Sequence, residues 1–109
     1  MGVPYKIEEP PIFKGGEKAL VKFIQANLNY PQEAITNNIS GTCYISFTVE
    51  LDGTSSNLLV IKGVTNGAVC DKEAMRIITL MPNWTPGKRY GEMVPMNFNL
   101  PIKYTLRGH

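Results

Sequence analysis

From Thr42 to Leu51 the chain alternates residue by residue. Cys43, Ile45, Phe47, Val49 and Leu51 fall on one side, and Thr42, Tyr44, Ser46, Thr48 and Glu50 on the other. A period of two predicts a strand with one buried face. Asp52-Gly53 then predicts a two-residue hairpin turn. The return strand spans Ser55 to Lys62, with Leu58 and Val60 inward. Leu59 and Ile61 point the other way, toward a further segment or a partner. A last strand begins at Val94, where Val94, Met96, Phe98, Leu100, Ile102, Tyr104 and Leu106 form a long apolar face. Its opposite face is Pro95, Asn97, Asn99, Pro101, Lys103 and Thr105.

Between these strands the period changes to that of helices. Ala74, Ile77, Ile78 and Met81 make one apolar stripe, with Asp71 as the N-cap and Cys70 and Met75 spaced as a hydrophobic staple. Pro82 ends this helix near Met81. Trp84 follows in a short connection closed by Pro86-Gly87, and a ring of that size is expected to pack on the sheet. Upstream, Tyr5 to Glu8 reads as a short extended segment and Pro10-Pro11 as an extended arrival, with Gly15-Gly16 as a turn. A helix begins at Glu17, with Leu20, Phe23, Ile24 and Leu28 on one side and Lys18, Lys22 and Gln25 on the other. Tyr30-Pro31 closes it. Pro31 then opens a short helix to Asn37 with Ala34 and Ile35 inward. Asn37-Asn38 and Ser40-Gly41 are terminators that tolerate left-handed backbone.

The hairpin makes the first two strands antiparallel, and a helical crossover makes the second and last parallel. The simplest arrangement is a three-stranded antiparallel sheet of order 2-1-3 with the helices on one face, a two-layer α+β domain. The last strand is then an edge. Pro95 and Pro101 agree with this, because a central strand would lose ladder bonds at each. They share a parity, so their missing donors face one edge, where Asn97 and Asn99 present free backbone groups. A free edge has to be blocked or used.

Composition narrows the rest. A chain of 109 residues has room for one core, and 43% hydrophobic with 18% charged residues is globular composition. The formal net charge of +2 is too small to imply nucleic acid. No apolar run approaches the ~20 residues that span a bilayer. Met1-Gly2-Val3-Pro4 lacks a signal-peptide pattern and reads as the start of a fragment of a longer protein. Cys43 and Cys70 are not a CxxC pair, and His109 is the only histidine, so no catalytic set, metal set or cofactor site is expected. Two buried thiols and a disulfide both stay open. Asp52 and Asp71 are explained as turn and cap.

Taken in order, Tyr30-Pro31, Gly41, Phe47, Asp52-Gly53, Glu73-Ala74, Met81-Pro82, Trp84, Pro86-Gly87-Lys88, Gly91 and Leu100-Pro101-Ile102 resemble the C-terminal domain of the TonB energy-transducer family. Pro11-Ile12-Phe13-Lys14-Gly15-Gly16 is similar to a lead-in found in one branch of it. The likeness runs from Pro11 to Leu106 and departs at Cys43 and Cys70, where relatives usually carry aliphatic residues. It divides the chain into an extended lead-in, residues 1–10, and a domain, residues 11–109.

The resemblance implies a non-enzymatic periplasmic module, tethered to the bacterial inner membrane by a segment outside this chain and driven by proton-motive-force motor proteins there. Its implied partner is the TonB box of an outer-membrane TonB-dependent receptor that takes up siderophores or other nutrients. That segment is gripped by strand addition along Met93, Val94, Pro95, Met96, Asn97, Phe98, Asn99 and Leu100. Tyr30 and Pro31 match the family's Tyr-Pro pair, as packing or as receptor contact. Two other outcomes stay open: the same fold appended to a membrane sensor or peptidase protein, and a homodimer through the edge strand.

Overall fold

The computed structural model describes residues 7–106, and its elements run β1 (Glu8–Glu9), α1 (Glu17–Asn27), α2 (Gln32–Thr36), β2 (Gly41–Val49), β3 (Ser55–Lys62), α3 (Ala68–Leu80), β4 (Lys88–Arg89), β5 (Glu92–Met93) and β6 (Met96–Tyr104). Tyr5 and Lys6, expected to be extended, lie outside the described residues. The main sheet has the order β3-β2-β6, all antiparallel neighbours, which is the expected 2-1-3 arrangement. Cys43, Ile45, Phe47 and Val49 of β2 are completely buried beneath the helical layer. From β6, Leu100, Ile102 and Tyr104 join them.

Three strand-end expectations need correction. Leu51 is 55% exposed rather than inward, because β2 stops at Val49 and Leu51 rides in the turn. That turn is one residue longer than an Asp-Gly pair. Glu50 N–H donates to the Thr54 carbonyl, and Gly53 N–H donates to that of Glu50, enclosing Leu51-Asp52-Gly53. Gly53 takes φ 85° and is pressed against the Trp84 backbone, where a Cβ would come within 2.3 Å of the Trp84 carbonyl oxygen. Only glycine fits both demands. The last strand is shorter than Val94 to Leu106: Val94 N–H is taken by the Gly87 carbonyl at 3.0 Å, and pairing with β2 begins at Met96.

The helices are close to expectation, with changes of detail in α2 and α3. α1 starts after the Gly15-Gly16 turn and buries Leu20, while Phe23 and Ile24 pack on the core. α2 begins at Gln32 with Pro31 as its cap; Ala34 is buried, but Ile35 is exposed. So short a helix has one inward position per turn, and Ala34 takes it. α3 begins at Ala68, three residues before Asp71. Cys70 therefore opens the buried stripe that continues through Ala74, Ile77 and Ile78, and is no staple residue outside the helix. The Asp71 carboxylate does not cap either: it accepts the Val64 N–H at 2.9 Å and ties the preceding loop to the helix.

Trp84 joins three segments. Its ring meets Phe13 at 5.4 Å, Phe47 at 5.5 Å and Phe98 at 5.0 Å between centroids. Such tilted and edge-on pairs are the favoured aromatic geometry. Beside this cluster lies a second small sheet, β1-β4-β5. Its β4–β5 turn is Tyr90-Gly91, with φ 53° and 82°, the left-handed pair of a tight hairpin.

Candidate partner-binding edge

β6 runs beside β2 through nine consecutive pairs, from Gly41 opposite Tyr104 to Val49 opposite Met96, with no shift of register. The direction of its backbone groups follows from β2. Because Glu50 N–H donates to Thr54, the even-numbered residues of β2 address β3. Gly41, Cys43, Ile45, Phe47 and Val49 then address β6, and their partners Tyr104, Ile102, Leu100, Phe98 and Met96 form the hydrogen-bonded pairs. Asn97, Asn99, Pro101 and Lys103 are left with backbone groups pointing outward, away from the sheet. Pro101 fits that position, having no N–H to lose.

The two edges of the sheet differ. On β3 the partner of Tyr44 is Lys62 and that of Ile45 is Val60, and a second jump runs from Leu59 to Ser56. Both extra residues are on β3, and Asn57 within the second takes φ 52°. Bulges of this kind bend an edge and interrupt its row of donors and acceptors. β6 carries none. One edge is guarded, the other is regular.

The expected site residues divide accordingly. Met96, Asn97, Phe98, Asn99 and Leu100 are on β6. Phe98 and Leu100 face the helices, whereas Asn97 faces the open side of the sheet, where the Thr48 hydroxyl meets its Oδ1 at 2.8 Å. Met93 belongs to β5, and Val94 and Pro95 form the link between the two sheets. Tyr30 is remote from these residues along β6. Its hydroxyl donates to the Ile39 carbonyl, and its ring packs edge-on against Tyr104 at 5.2 Å. Pro31 caps α2 and borders a shallow depression with Val69, Lys72, Glu73 and Arg76.

The thiols and the phenol at the core stay protonated. Cys43 and Cys70 are buried free thiols. Burial, with the neighbouring Asp71 carboxylate second, pushes the Cys43 thiol up to about 12. Burial likewise raises Cys70 and Tyr104, and the Tyr104 hydroxyl donates to the Cys70 carbonyl at 2.7 Å. A thiol so placed is a poor nucleophile. Among the described residues no group of three or more His, Cys, Asp or Glu could hold a metal ion, and no helix is long and apolar enough to cross a membrane.

Fold and edge together define a two-layer α+β module whose regular edge strand, β6, has no neighbour on its outer side among the described residues. The family model described as Gram-negative bacterial TonB protein C-terminal matches residues 26–106, and the chain belongs to that family. Its members are transport-associated, non-enzymatic periplasmic domains that interact with outer-membrane receptors. Two solved structures are similar. An NMR structure of the Helicobacter pylori TonB C-terminal domain, residues 179–285, is 22% identical, covering 83% of this chain and 79% of that one with a TM-score of 0.57. A second, of residues 194–285, is 21% identical, covering 84% and 95% with a TM-score of 0.59. At this identity the likeness is one of fold. No curated protein matches the chain.

Proposed function

We infer that this domain is the receptor-gripping end of a TonB-like energy transducer. It takes an extended segment, the TonB box of an outer-membrane TonB-dependent transporter, as a further strand on the outer edge of β6. Its N-terminal continuation couples that grip to proton-driven motor proteins of the inner membrane. The observation that carries this reading is the unbulged β6 edge, with the backbone of Asn97 and Asn99 directed outward between two prolines. Main-chain pairing tolerates many side chains, and its bonds share load when pulled along the strand, which suits one coupler serving several transporters. Tyr30 and Pro31 support the site by fixing the α1–α2 connection rather than by touching the partner.

The test is an NMR titration of the labelled domain with peptides from transporter N-termini, repeated on Asn97→Pro. Amide shifts are expected to concentrate between Met96 and Tyr104. The variant removes an outward N–H that β2 does not use, so it should bind at least about tenfold more weakly while Trp84 emission stays unchanged. Equal binding by the variant, or shifts centred on the helices, would move the site elsewhere.

A further inference from the structure

A strand lying along the outer edge of β6 would have different surroundings on its two faces. On the open face of the sheet its neighbours would be mostly polar: Asn97, Asn99 and Lys103 of β6 with Pro101 among them, backed by Thr48 and Ser46 and, opposite Pro101, by Tyr44. On the helix face lies an open groove of about 480 Å³ between β6 and α1. Its walls are Ile12, Leu20, Val21 and Ile24 on one side and Phe98 and Leu100 on the other. Asn99 and Pro101, whose backbone groups point outward, line it too, so the groove opens at the edge itself. Val21 is 47% exposed and Ile12 53%, apolar side chains left in water along this opening.

We propose that this groove is a side-chain pocket that selects a bulky aliphatic residue in the docked strand and so fixes its register. The proposal rests on the strand-addition reading above. The outward backbone groups of β6 call for an extended chain as occupant, and an extended chain alternates its side chains between the two faces. One parity must therefore enter the groove, while the other meets the polar face. Main-chain pairing holds load in whichever register forms, but by itself it favours no register over its neighbours. A slip of one residue would turn the aliphatic side chain onto the polar face and leave the groove wet, so a single aliphatic anchor supplies the missing discrimination. The recognised partner is then an extended peptide with leucine, isoleucine or valine at one parity and polar residues at the other.

A peptide series tests this. The host is a nine-residue peptide of alternating threonine and serine, and a single leucine is moved through it one position at a time. Binding is read by fluorescence anisotropy and by β6 amide shifts. Leucine at central positions of one parity should tighten binding at least about tenfold, which is ~1.4 kcal/mol. At the other parity it should have little effect. Val21→Asp, a change at an exposed position, should abolish the leucine gain, so that on this variant the leucine peptides bind no better than their own leucine-free host, with the same thermal midpoint.

The outcomes separate the two readings. If all peptides shift β6 amides equally wherever leucine stands, strand addition holds and the groove proposal fails. If shifts fall away from β6, or no peptide binds, both fail. A dimer with β6 amides protected and no response to peptide would assign the groove to a second copy and overturn the proposal.

Discussion

Trp84 is the residue on which lead-in, hairpin strand and edge strand converge, yet its indole N–H has no acceptor among the described residues. Its contribution therefore lies in ring contact and not in hydrogen bonding. That separates two substitutions. Trp84→Phe keeps much of the ring and gives up no hydrogen bond, so a loss of about 1–2 kcal/mol is expected, as for other moderate core trimming. Trp84→Ala removes the shared surface of three phenyl rings and should cost about 3–5 kcal/mol. Urea unfolding of both measures the difference, and equal losses would mean that the N–H has a structural partner. The same scale explains what single residues concealed. Asp71 has the identity of an N-cap, but a carboxylate serves whichever N–H is nearest, and here that is Val64 across the loop. Nothing local in the sequence distinguishes the two.

At the scale of elements, long periodic segments were legible and short ones were not. β2 and the buried face of β6 could be read because nine alternating positions leave little freedom of register, and β3 from its turn and the inward Leu58 and Val60. The edge position of β6 was legible from Pro101, whereas Pro95, counted with it, precedes the strand. β1, β4 and β5 have two residues each, too few for any period, and their Tyr90-Gly91 turn lacks the Asn or Asp that usually marks a hairpin. The bulges of β3 were hidden for a related reason: an extra residue on an edge strand changes pairing without changing composition. The groove was not legible, because it forms between α1 and β6, which are far apart in sequence. Leu20 and Ile24 read as core, and the pattern assigns Val21, apolar but outside that stripe, to neither side of α1.

One link between elements carries a pH dependence. Glu73 of α3 accepts both Arg76 and the Asn29 N–H, at 2.7 Å each, while Arg76 reaches the Asn27 carbonyl at 3.1 Å. The Arg76 hydrogen bonds, with Asn29 behind them, hold the Glu73 carboxyl below its ordinary value of 4.5. The unfolded chain therefore takes up this proton more readily than the folded one. Stability from this link is complete above about pH 4.5 and is lost as pH falls through the lower, folded-state value. Glu73→Gln should be less stable at pH 6 and should lose less than the parent between pH 6 and pH 3. Urea midpoints at the two pH values check it, and parallel losses would remove Glu73 as the titrating group.

At the scale of the whole molecule, the family match and the folded unit do not coincide. The match starts at residue 26, yet the core depends on residues before it. Phe13 is buried against Trp84 and Phe23. Ile12 and Thr85 exchange two backbone hydrogen bonds, at 3.0 and 2.8 Å, and Glu8–Glu9 pairs with Lys88–Arg89. α1, which supplies Leu20, begins at Glu17. A chain started at residue 26 loses Phe13 and Leu20 together and opens one side of the Trp84 cluster. Removing a buried phenyl ring alone costs about 3–5 kcal/mol, against total stabilities of about 5–15 kcal/mol for domains of this kind. Residues 26–109 should accordingly show red-shifted Trp84 emission and a broad, weakly cooperative urea transition, whereas the 109-residue chain should unfold sharply. If the shorter chain kept both the emission maximum and the sharp transition, β2, β6 and α3 would close around Trp84 unaided. The lead-in and α1 would then serve the groove beside β6 rather than the fold, and peptide binding would be lost while stability was kept.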